Sequence, residues 1–150
     1  MNADIETWWQ IHQLMTRYAL ACDDRDWVRY RELFAPDAQI DYTQAYGRAG
    51  TVDEIVPWLQ RIMSVESLPV SQHLLANLEF DASGDGANGR VHYFNPDVFV
   101  EDGRKVGLIN GGVYRFEARR MAGGWRLSRL HAQLLWSTRA ELTEFATAAE

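Results

Sequence analysis

The sequence predicts an α+β fold in which helices come first and a sheet follows. Apolar residues at helical spacing fill the chain before Pro69, whereas the rest is β-rich and divided by turn signals. Helices and strands that are segregated along a chain are typical of this class. The chain has 150 residues and can bury roughly 70% of its unfolded surface. We therefore expect a single domain over residues 1–150.

Two helices are predicted at the start of the chain. The first covers residues 4–22, where apolar side chains recur at spacings of three and four and Asp4 or Asn2 can cap the start. The second covers residues 26–34 and ends before Pro36, because the residue before a proline avoids the helical region. The apolar stripe of the first helix consists of Ile5, Trp8, Ile11, Met15, Tyr18 and Cys22.

A short strand and a third helix are predicted next. Gln39–Tyr42 has the residue types of a strand. Thr51 and Glu54 then fit the T-x-x-E capping box that opens a helix. The inner face of this helix consists of Ile55, Trp58, Leu59 and Ile62.

The rest of the chain predicts a curved, antiparallel sheet whose strands are joined by short turns. Pro96 lies within a strand and predicts a bulge or an edge, and the glycines at 111–112 predict a bend. We therefore expect a cavity beneath the sheet. Thr138 and Glu141 allow a short final helix. The long strands are predicted over residues 70–80, 88–101, 105–120 and 125–137.

Composition and charge exclude several functions. The net charge of −6 and the lack of a basic run exclude a nucleic-acid partner. No apolar run approaches the ~20 residues that span a bilayer, so no membrane association is expected. The one cysteine, Cys22, excludes an internal disulfide and favours the reducing cytoplasm. The histidines show no paired ligand spacing and no nucleotide-binding motif occurs, so neither a metal nor a cofactor is expected.

Polar side chains occur in the predicted strands where a core does not need them. In SQHLLANLEF, strict alternation puts His73 and Asn77 on one face and Leu74 and Leu78 on the other. Each polar residue alone has an ordinary structural explanation as part of a turn, a bend or a solvated face. The other members of this set are Asn95, Asp97, Asn110 and His131.

Four stretches of the chain carry a resemblance to a known family. YALACD is similar to the end of the first helix of bile-acid 7α-dehydratase, and INGG matches the same enzyme. DDRDW followed by FAPDAQIDY resembles scytalone dehydratase, whose pocket tyrosine corresponds to Tyr42. SQHLLANLEF places His73 on the histidine that both enzymes and hexachlorocyclohexane dehydrochlorinase use as a base. The chain therefore resembles the SnoaL-like, scytalone dehydratase-like group of the nuclear-transport-factor-2-like superfamily over about residues 5–136.

The resemblance implies a cone-shaped α+β barrel with three N-terminal helices on a strongly curved, mainly antiparallel sheet. It implies a cofactor-independent lyase, a dehydratase that eliminates water from a small, apolar, cyclic hydroxylated carbonyl compound. His73 would be the base, Asp23 its orienting partner, and Tyr18 and Tyr42 donors to a developing enolate oxygen. Tyr18 and Asp23 lie ~140° apart on an ideal helix, so the helix has to end near Cys22 for both to face one cavity.

The remaining polar residues are candidates to bind the departing hydroxyl group. Bile-acid 7α-dehydratase has an acid near the position of Asn95, so either Asn95 replaces that acid or Asp97 supplies it. Asn110 is a further candidate, and His131 is a weaker second acid. None of these residues identifies the natural substrate.

Two alternatives to the lyase stay open. An isomerase or cyclase of the same superfamily would keep the cavity but use an aspartate as its base. A non-catalytic ligand-binding or scaffold module, like the β subunit of ring-hydroxylating dioxygenases, would need no base. Apolar strand residues at 98–100 and 134–136 predict a homo-oligomer, with a trimer favoured over a dimer.

Overall fold

A computed structural model describes residues 4–142, which form three helices and one six-stranded sheet. The helices are α1 (Ile5–Asp23), α2 (Trp27–Glu32) and α3 (Val52–Ile62). The strands are β1 (Phe34–Gln44), β2 (Ala49–Thr51), β3 (Leu74–Ser83), β4 (Gly86–Glu101), β5 (Arg104–Met121) and β6 (Gly124–Glu141). The sheet is curved around the helices and does not close. The predicted α+β class and cone-like architecture are confirmed.

The strands lie in the order β2-β1-β6-β5-β4-β3 across the sheet. Strands β3 to β6 pair in sequence and antiparallel, as predicted. The exception to the antiparallel pattern is β1, which pairs parallel with β6 and antiparallel with the short β2. The sheet is therefore mainly antiparallel, and β2 and β3 are its open edges.

The helix starts follow the local chemistry that the sequence predicts. Asp4 caps α1, and its carboxylate accepts a hydrogen bond from the Thr7 N–H at 2.7 Å; Asn2 lies outside the described residues. The Glu54 carboxylate accepts a hydrogen bond from the backbone N–H of Thr51 at 2.8 Å, which completes the capping box of α3. Within residues 4–142, no helix has both the length and the apolar character needed to cross a membrane.

The boundary between α2 and β1 differs from the prediction. The second helix ends at Glu32, and Phe34 begins a strand. Phe34 is buried and pairs with Leu127 of β6. Pro36 is tolerated in this strand because the β1–β6 register is interrupted between Phe34 and Gln39, where no ladder hydrogen bond is lost. Pairing with a distant strand thus outweighs the local helical pattern.

The predicted final helix is wrong over residues 138–141. These residues extend β6, with Thr138 opposite Ile109 and Glu141 opposite Val106 of β5. The helical cap pattern involves only neighbouring residues, whereas β5 offers residues 138–141 a strand to pair with. The pairing outweighs the local pattern. The rest of the predicted helix lies outside the described residues.

A bulge in β3 changes which side chains face the core. Asn77 has a φ of 56°, and the β3–β4 register shifts between Ala76 and Glu79. An extra residue in one strand reverses the alternation of side chains beyond it. Leu75 therefore packs on the core together with Leu78, whereas Leu74 is 53% exposed. The strict alternation predicted for this strand is wrong.

The two irregularities predicted farther along the sheet are both present. The pairing of β3 with β4 stops at Phe94, so Pro96 lies where β4 becomes an edge strand, and the β4–β5 register stays continuous. The β5–β6 register shifts between Gly111 and Gly112, which leaves Leu135 as an extra residue in β6. Such a bulge bends the sheet over the helices.

We predict that Gly112→Ala destabilises the protein by roughly 3 kcal/mol, because a Cβ at Gly112 would lie 2.3 Å from the Gln133 carbonyl oxygen and 2.3 Å from the Tyr93 hydroxyl oxygen. Urea unfolding followed by circular dichroism measures the change. Gly86→Ala is the matched control, since its Cβ would meet nothing closer than 3.7 Å. Equal unfolding midpoints for the two variants would show that the sheet relaxes freely at Gly112.

Candidate active site

A cavity of about 180 Å³ lies between the helices and the inner face of the sheet. Of the eight site residues predicted from the sequence, six line it. Asp23 contacts one of those six, and His131 lies elsewhere. The polar lining consists of Tyr18, Tyr42, Tyr46, Ser71, His73, Tyr93, Asn95, Asp97, Asn110 and Tyr114. Much of the apolar lining comes from α3 and the chain after it, namely Trp58, Leu59, Ile62, Met63 and Leu68.

Asp23 and His73 form a closely bonded pair. α1 ends at Asp23, so its carboxylate points away from the helix axis towards the start of β3. Asp23 Oδ1 lies 2.6 Å from His73 Nδ1, and both carboxylate oxygens lie 3.0 Å from the His73 backbone nitrogen. Because a carboxylate only accepts, Nδ1 carries the hydrogen in the neutral ring and Nε2 keeps its lone pair. The ring thus presents a basic nitrogen on the side away from Asp23.

Only one of the three aspartates at this helix end turns inward. Asp24 is an exposed residue whose carboxylate lies 3.8 Å from the Arg29 guanidinium. Asp26 caps α2 and accepts a hydrogen bond from the Arg29 N–H at 3.0 Å. Asp23 is the last residue of α1, and it serves the site through His73, whereas Tyr18 lines the cavity directly.

Buried tyrosine hydroxyls form a connected group beside the cavity. The Tyr42 hydroxyl lies 2.8 Å from the hydroxyl of Tyr18 and 2.8 Å from that of Tyr30. The three hydroxyl groups carry three hydrogens, and the two hydrogen bonds use two of them. The third hydrogen can be donated to another acceptor. Burial raises the pKa of Tyr18, Tyr30 and Tyr42 well above the ordinary value. The group therefore stays neutral and acts as a hydrogen-bond donor.

Four polar side chains place unpaired oxygens in the cavity. Ser71 Oγ, Asn95 Oδ1, Asp97 Oδ1 and Asn110 Oδ1 are buried, and none has a hydrogen-bond partner among the described residues. Asn95 and Asn110 lie directly opposite each other on β4 and β5. Buried polar atoms are rarely left unpaired in folded proteins, so these oxygens are available to accept hydrogen bonds from water or from a bound molecule.

Asn95 and Asp97 are the two residues that the sequence offers for the position of the acid. Asn95 and Asp97 are two residues apart on β4, so they share one face, and both line the cavity. Burial raises the pKa of Asp97, and the neighbouring His73 and Ser71 act in the opposite direction. Burial therefore favours the neutral form of Asp97 more than solvent does, in a cavity that His73 also lines.

His131 corrects one expectation. It lies on the outer face of the sheet, in a broad charged groove of about 1050 Å³, and does not line the cavity between the helices and the sheet. Its neighbours across the sheet are Asp41 and Arg115. In the sequence, alternation puts Leu130 and Ala132 on the face of the strand opposite to His131. Only the pairing of β6 shows that Leu130 and Ala132 occupy the inner face.

Several lining residues have no sequence signal that distinguishes them from core or loop. Tyr114 and Tyr93 belong to apolar strand patterns, and their rings lie 4.5 Å apart in the cavity wall. Ser71 lies in the chain before β3, where a serine is an ordinary loop residue. Within residues 4–142, no group of three or more His, Cys, Asp or Glu side chains is arranged to hold a metal ion.

Comparison with known proteins identifies relatives across most of the chain. A family model described as a SnoaL-like domain matches residues 3–131. The protein Rv2910c of Mycobacterium tuberculosis, whose function is uncharacterised, is 36% identical over 127 residues, which cover 85% of this chain and 84% of the relative. Dehydratase GME11372 of Pestalotiopsis microspora is 27% identical over 130 residues, which cover 80% and 81% of the two chains.

Solved structures share the fold at lower identity. A hexachlorocyclohexane dehydrochlorinase, LinA-type3 from Novosphingobium barchaimii, superposes with a TM-score of 0.81 at 19% identity and covers 95% of this chain and 96% of its own. A scytalone dehydratase-like protein from Novosphingobium aromaticivorans gives a TM-score of 0.78 at 17% identity, with 98% and 96% coverage. At such identities these structures show the fold alone, and it is the predicted fold.

We predict that Asp97→Asn stabilises the fold at neutral pH by on the order of 1 kcal/mol. Burial raises the pKa of Asp97 in the folded chain above its value in the unfolded chain. Ionisation of Asp97 at neutral pH therefore lowers the free energy of unfolding. The stabilisation by Asp97→Asn should shrink as the pH falls towards 3.8, the ordinary pKa of an aspartate side chain. Urea unfolding across pH 4–8 measures it, and Asp85→Asn, in the exposed β3–β4 turn, is the control. A pH-independent difference would contradict the assignment.

Proposed function

Since the chain belongs to the SnoaL-like family, we propose that it is a cofactor-independent lyase of the dehydratase type. The proposed substrate is a small, apolar, cyclic compound that carries a carbonyl group and a hydroxyl group on the carbon β to it. The observation that carries the proposal is the Asp23–His73 pair beside a cavity lined with neutral phenols. The relative named as a dehydratase supports it. The buried free thiol of Cys22 is in keeping with a cytoplasmic enzyme.

His73 is the base in the proposed reaction. Its Nε2 removes a proton from the carbon between the carbonyl and the hydroxyl-bearing carbon, and that C–H electron pair moves towards the carbonyl oxygen. Asp23 orients the ring and stabilises the imidazolium that forms. A phenol of the tyrosine group donates to the developing enolate oxygen, which is the role that the family resemblance implies for Tyr18 and Tyr42.

The second half of the reaction releases water. The electron pair of the enolate forms the new carbon–carbon double bond, and the C–O bond to the β-hydroxyl breaks. Asp97 supplies the proton with which that hydroxyl leaves as water, and Asn95 and Asn110 hold it. The proton on His73 then returns to Asp97 through solvent, which restores the starting state. The raised pKa of Asp97 favours this role of acid.

The size and lining of the cavity limit the substrate class. A cavity of about 150 Å³ takes up one benzene molecule, so a volume of about 180 Å³ favours a single-ring substrate. Apolar walls from α3 favour a hydrocarbon ring, and the unpaired oxygens at Ser71, Asn95 and Asn110 favour hydroxyl groups on one edge of it. A single-ring β-hydroxy ketone combines these features.

A second candidate function rests on Asp97. A buried carboxyl group in the cavity, with one oxygen free of protein partners, is also suited to carry a proton between two carbons of a ketone. The protein would then be an isomerase, and His73 would only support the cavity wall. The two candidates differ in the residue whose loss abolishes the reaction.

We also propose that the protein is a homo-oligomer, with a trimer favoured. Leu74, Phe94 and Trp136 form one row across the outer face, here called the outer apolar row, because their strands are paired in register around Gly111. The three side chains are 53%, 42% and 47% exposed. The rings of Phe94 and Trp136 lie 6.0 Å apart. A contiguous exposed apolar surface of this kind favours contact with a further copy of the chain.

We predict that His73→Gln lowers the dehydration rate by about 10²–10⁴-fold, because glutamine keeps a polar side chain at this position but removes the basic nitrogen. The probe is 3-hydroxycyclohexanone, the first of a panel of single-ring β-hydroxy ketones, and the conjugated enone product is followed by its ultraviolet absorbance. His131→Gln is the matched control, since this histidine lies on the outer face, and its rate should stay within about twofold of the parent.

Two outcomes of this experiment would favour other functions. If His73→Gln keeps most of the activity on a ketone isomerisation substrate, while Asp97→Asn abolishes it, the isomerase is the better description. If the parent protein turns over no member of the panel but binds several of them, a ligand-binding module is favoured.

We predict that Trp136→Glu converts the oligomer into monomers, because it replaces the largest apolar side chain of the outer apolar row with a charge. Light scattering at low micromolar concentration measures the mass. Val28→Glu, which changes a 71% exposed residue of α2, should leave the mass unchanged. A monomeric parent protein at this concentration would contradict the proposal.

A further inference from the structure

One wall of the cavity is a connection with little regular structure of its own. Residues 63–73 join α3 to β3, and their side chains at Met63, Leu68, Ser71 and His73 line the cavity. Within this connection a turn is closed by the Leu68 N–H, which donates to the Ser64 carbonyl oxygen at 2.8 Å. Its contacts with the sheet include an isolated bridge to β4 at position 98. Other parts of the molecule therefore have to fix its position.

Arg25 supplies such contacts from the end of α1. Its Nε donates to the Met63 carbonyl oxygen at 2.5 Å, and its Nη2 donates to the Leu68 carbonyl oxygen. A third, longer contact joins Nη1 to the Asp23 carbonyl oxygen at 3.5 Å. No carboxylate of the described residues forms an ion pair with this guanidinium group. Its donors are directed to backbone carbonyls instead.

The conformation of Arg25 is unusual and serves this geometry. Its φ is 54°, in the left-handed region that non-glycine residues rarely adopt. This turn follows the helix end directly, and it directs the side chain back across the C-terminus of α1 to the connection. A planar fork of N–H donors can reach two carbonyls at once, which the single ammonium group of lysine does less well.

Asp23 and Arg25 hold opposite ends of the same segment. Asp23 accepts hydrogen bonds from the backbone and ring of His73, at the end of the connection. Arg25 binds Met63 and Leu68, at its start and middle. Two residues at one helix end thus fix the wall that carries the proposed base.

We propose that Arg25 is a positioning residue, which holds residues 63–73 against α1 and so sets the position of the His73 ring in the cavity. Its role in catalysis rests on the proposed lyase function, whereas its role in anchoring does not. Arg25 does not line the cavity, so it acts through the connection and not through contact with the substrate. Nothing in the amino-acid pattern around DDRDW indicates this role, because the bonded carbonyls belong to a distant part of the chain.

The anchoring is tested without any substrate. Arg25→Gln should increase hydrogen–deuterium exchange of the amides in residues 63–73 at least tenfold, with the core of β5 and β6 unchanged. The His73 Nδ1–H resonance, protected by Asp23 in the parent protein, should broaden or disappear in the proton NMR spectrum. Arg29→Gln is the matched control, since Arg29 lies four residues along the chain and makes only a 3.8 Å surface pair through its side chain. If Arg25→Gln does not fold, Arg25→Lys carries the test with a smaller increase.

The catalytic role is tested on the same variants with 3-hydroxycyclohexanone. Arg25→Gln should lower kcat by about 10–100-fold with a smaller change in KM, and Arg25→Lys should restore part of kcat. Unchanged exchange and an unchanged Nδ1–H resonance would overturn the proposal whatever the rates are. Altered exchange in a protein whose parent form turns over no member of the β-hydroxy ketone panel would uphold the anchoring role and reject the lyase function.

Discussion

The Asp23 carboxylate connects the helical layer to the start of β3, and the geometry of the cavity depends on it. A negative charge at the C-terminal end of a helix is disfavoured by the helix dipole by roughly 0.3–1 kcal/mol, and the last turn of α1 carries no basic residue. Three contacts with His73 offset that cost, since hydrogen bonds to a charged acceptor are among the stronger ones. The same contacts fix both the backbone and the ring of His73. The Asp23 side chain therefore fixes the chain at the start of β3, and it determines which nitrogen of the His73 ring is free to act as a base.

The cavity combines two kinds of polar surface at different depths of the sheet. Hydroxyl donors from Tyr18 and Tyr42 are joined by Tyr30, which belongs to α2 and brings the second helix into the same network. Acceptor oxygens lie farther along β4 and β5, around Asn95 and Asn110. A ligand with a carbonyl oxygen at one end and hydroxyl groups at the other satisfies both surfaces at once.

Features governed by neighbouring residues were predictable from the sequence, and features governed by distant pairing were not. The Asp4 cap and the Thr51–Glu54 box involve residues three apart, and both are present as predicted. Phe34 was expected in a helix but lies in a strand, because its partner Leu127 is far along the chain. The faces of the strands were misjudged at the Asn77 bulge for the same reason.

The site shows the same division. The resemblance to known lyases brought together His73, Asp23, Tyr18 and Tyr42, which the structure places around one cavity or in direct contact with it. It gave no reason to include Tyr114 or Ser71, whose sequence surroundings look like core and loop. Nor did it show that His131 belongs to the outer face, since that depends on how β6 pairs with both its neighbours.

The position of β6 has a consequence for how this molecule is made. It is the last strand of the described chain, yet it lies inside the sheet between β1 and β5. Its pairing joins Gln39 to Arg129, a separation of 129 − 39 = 90 residues. Contacts of that range close large loops and form late in folding. During synthesis, β1 thus lacks its partner strand until β6 has been made, and the cavity forms only when β6 inserts between β1 and β5.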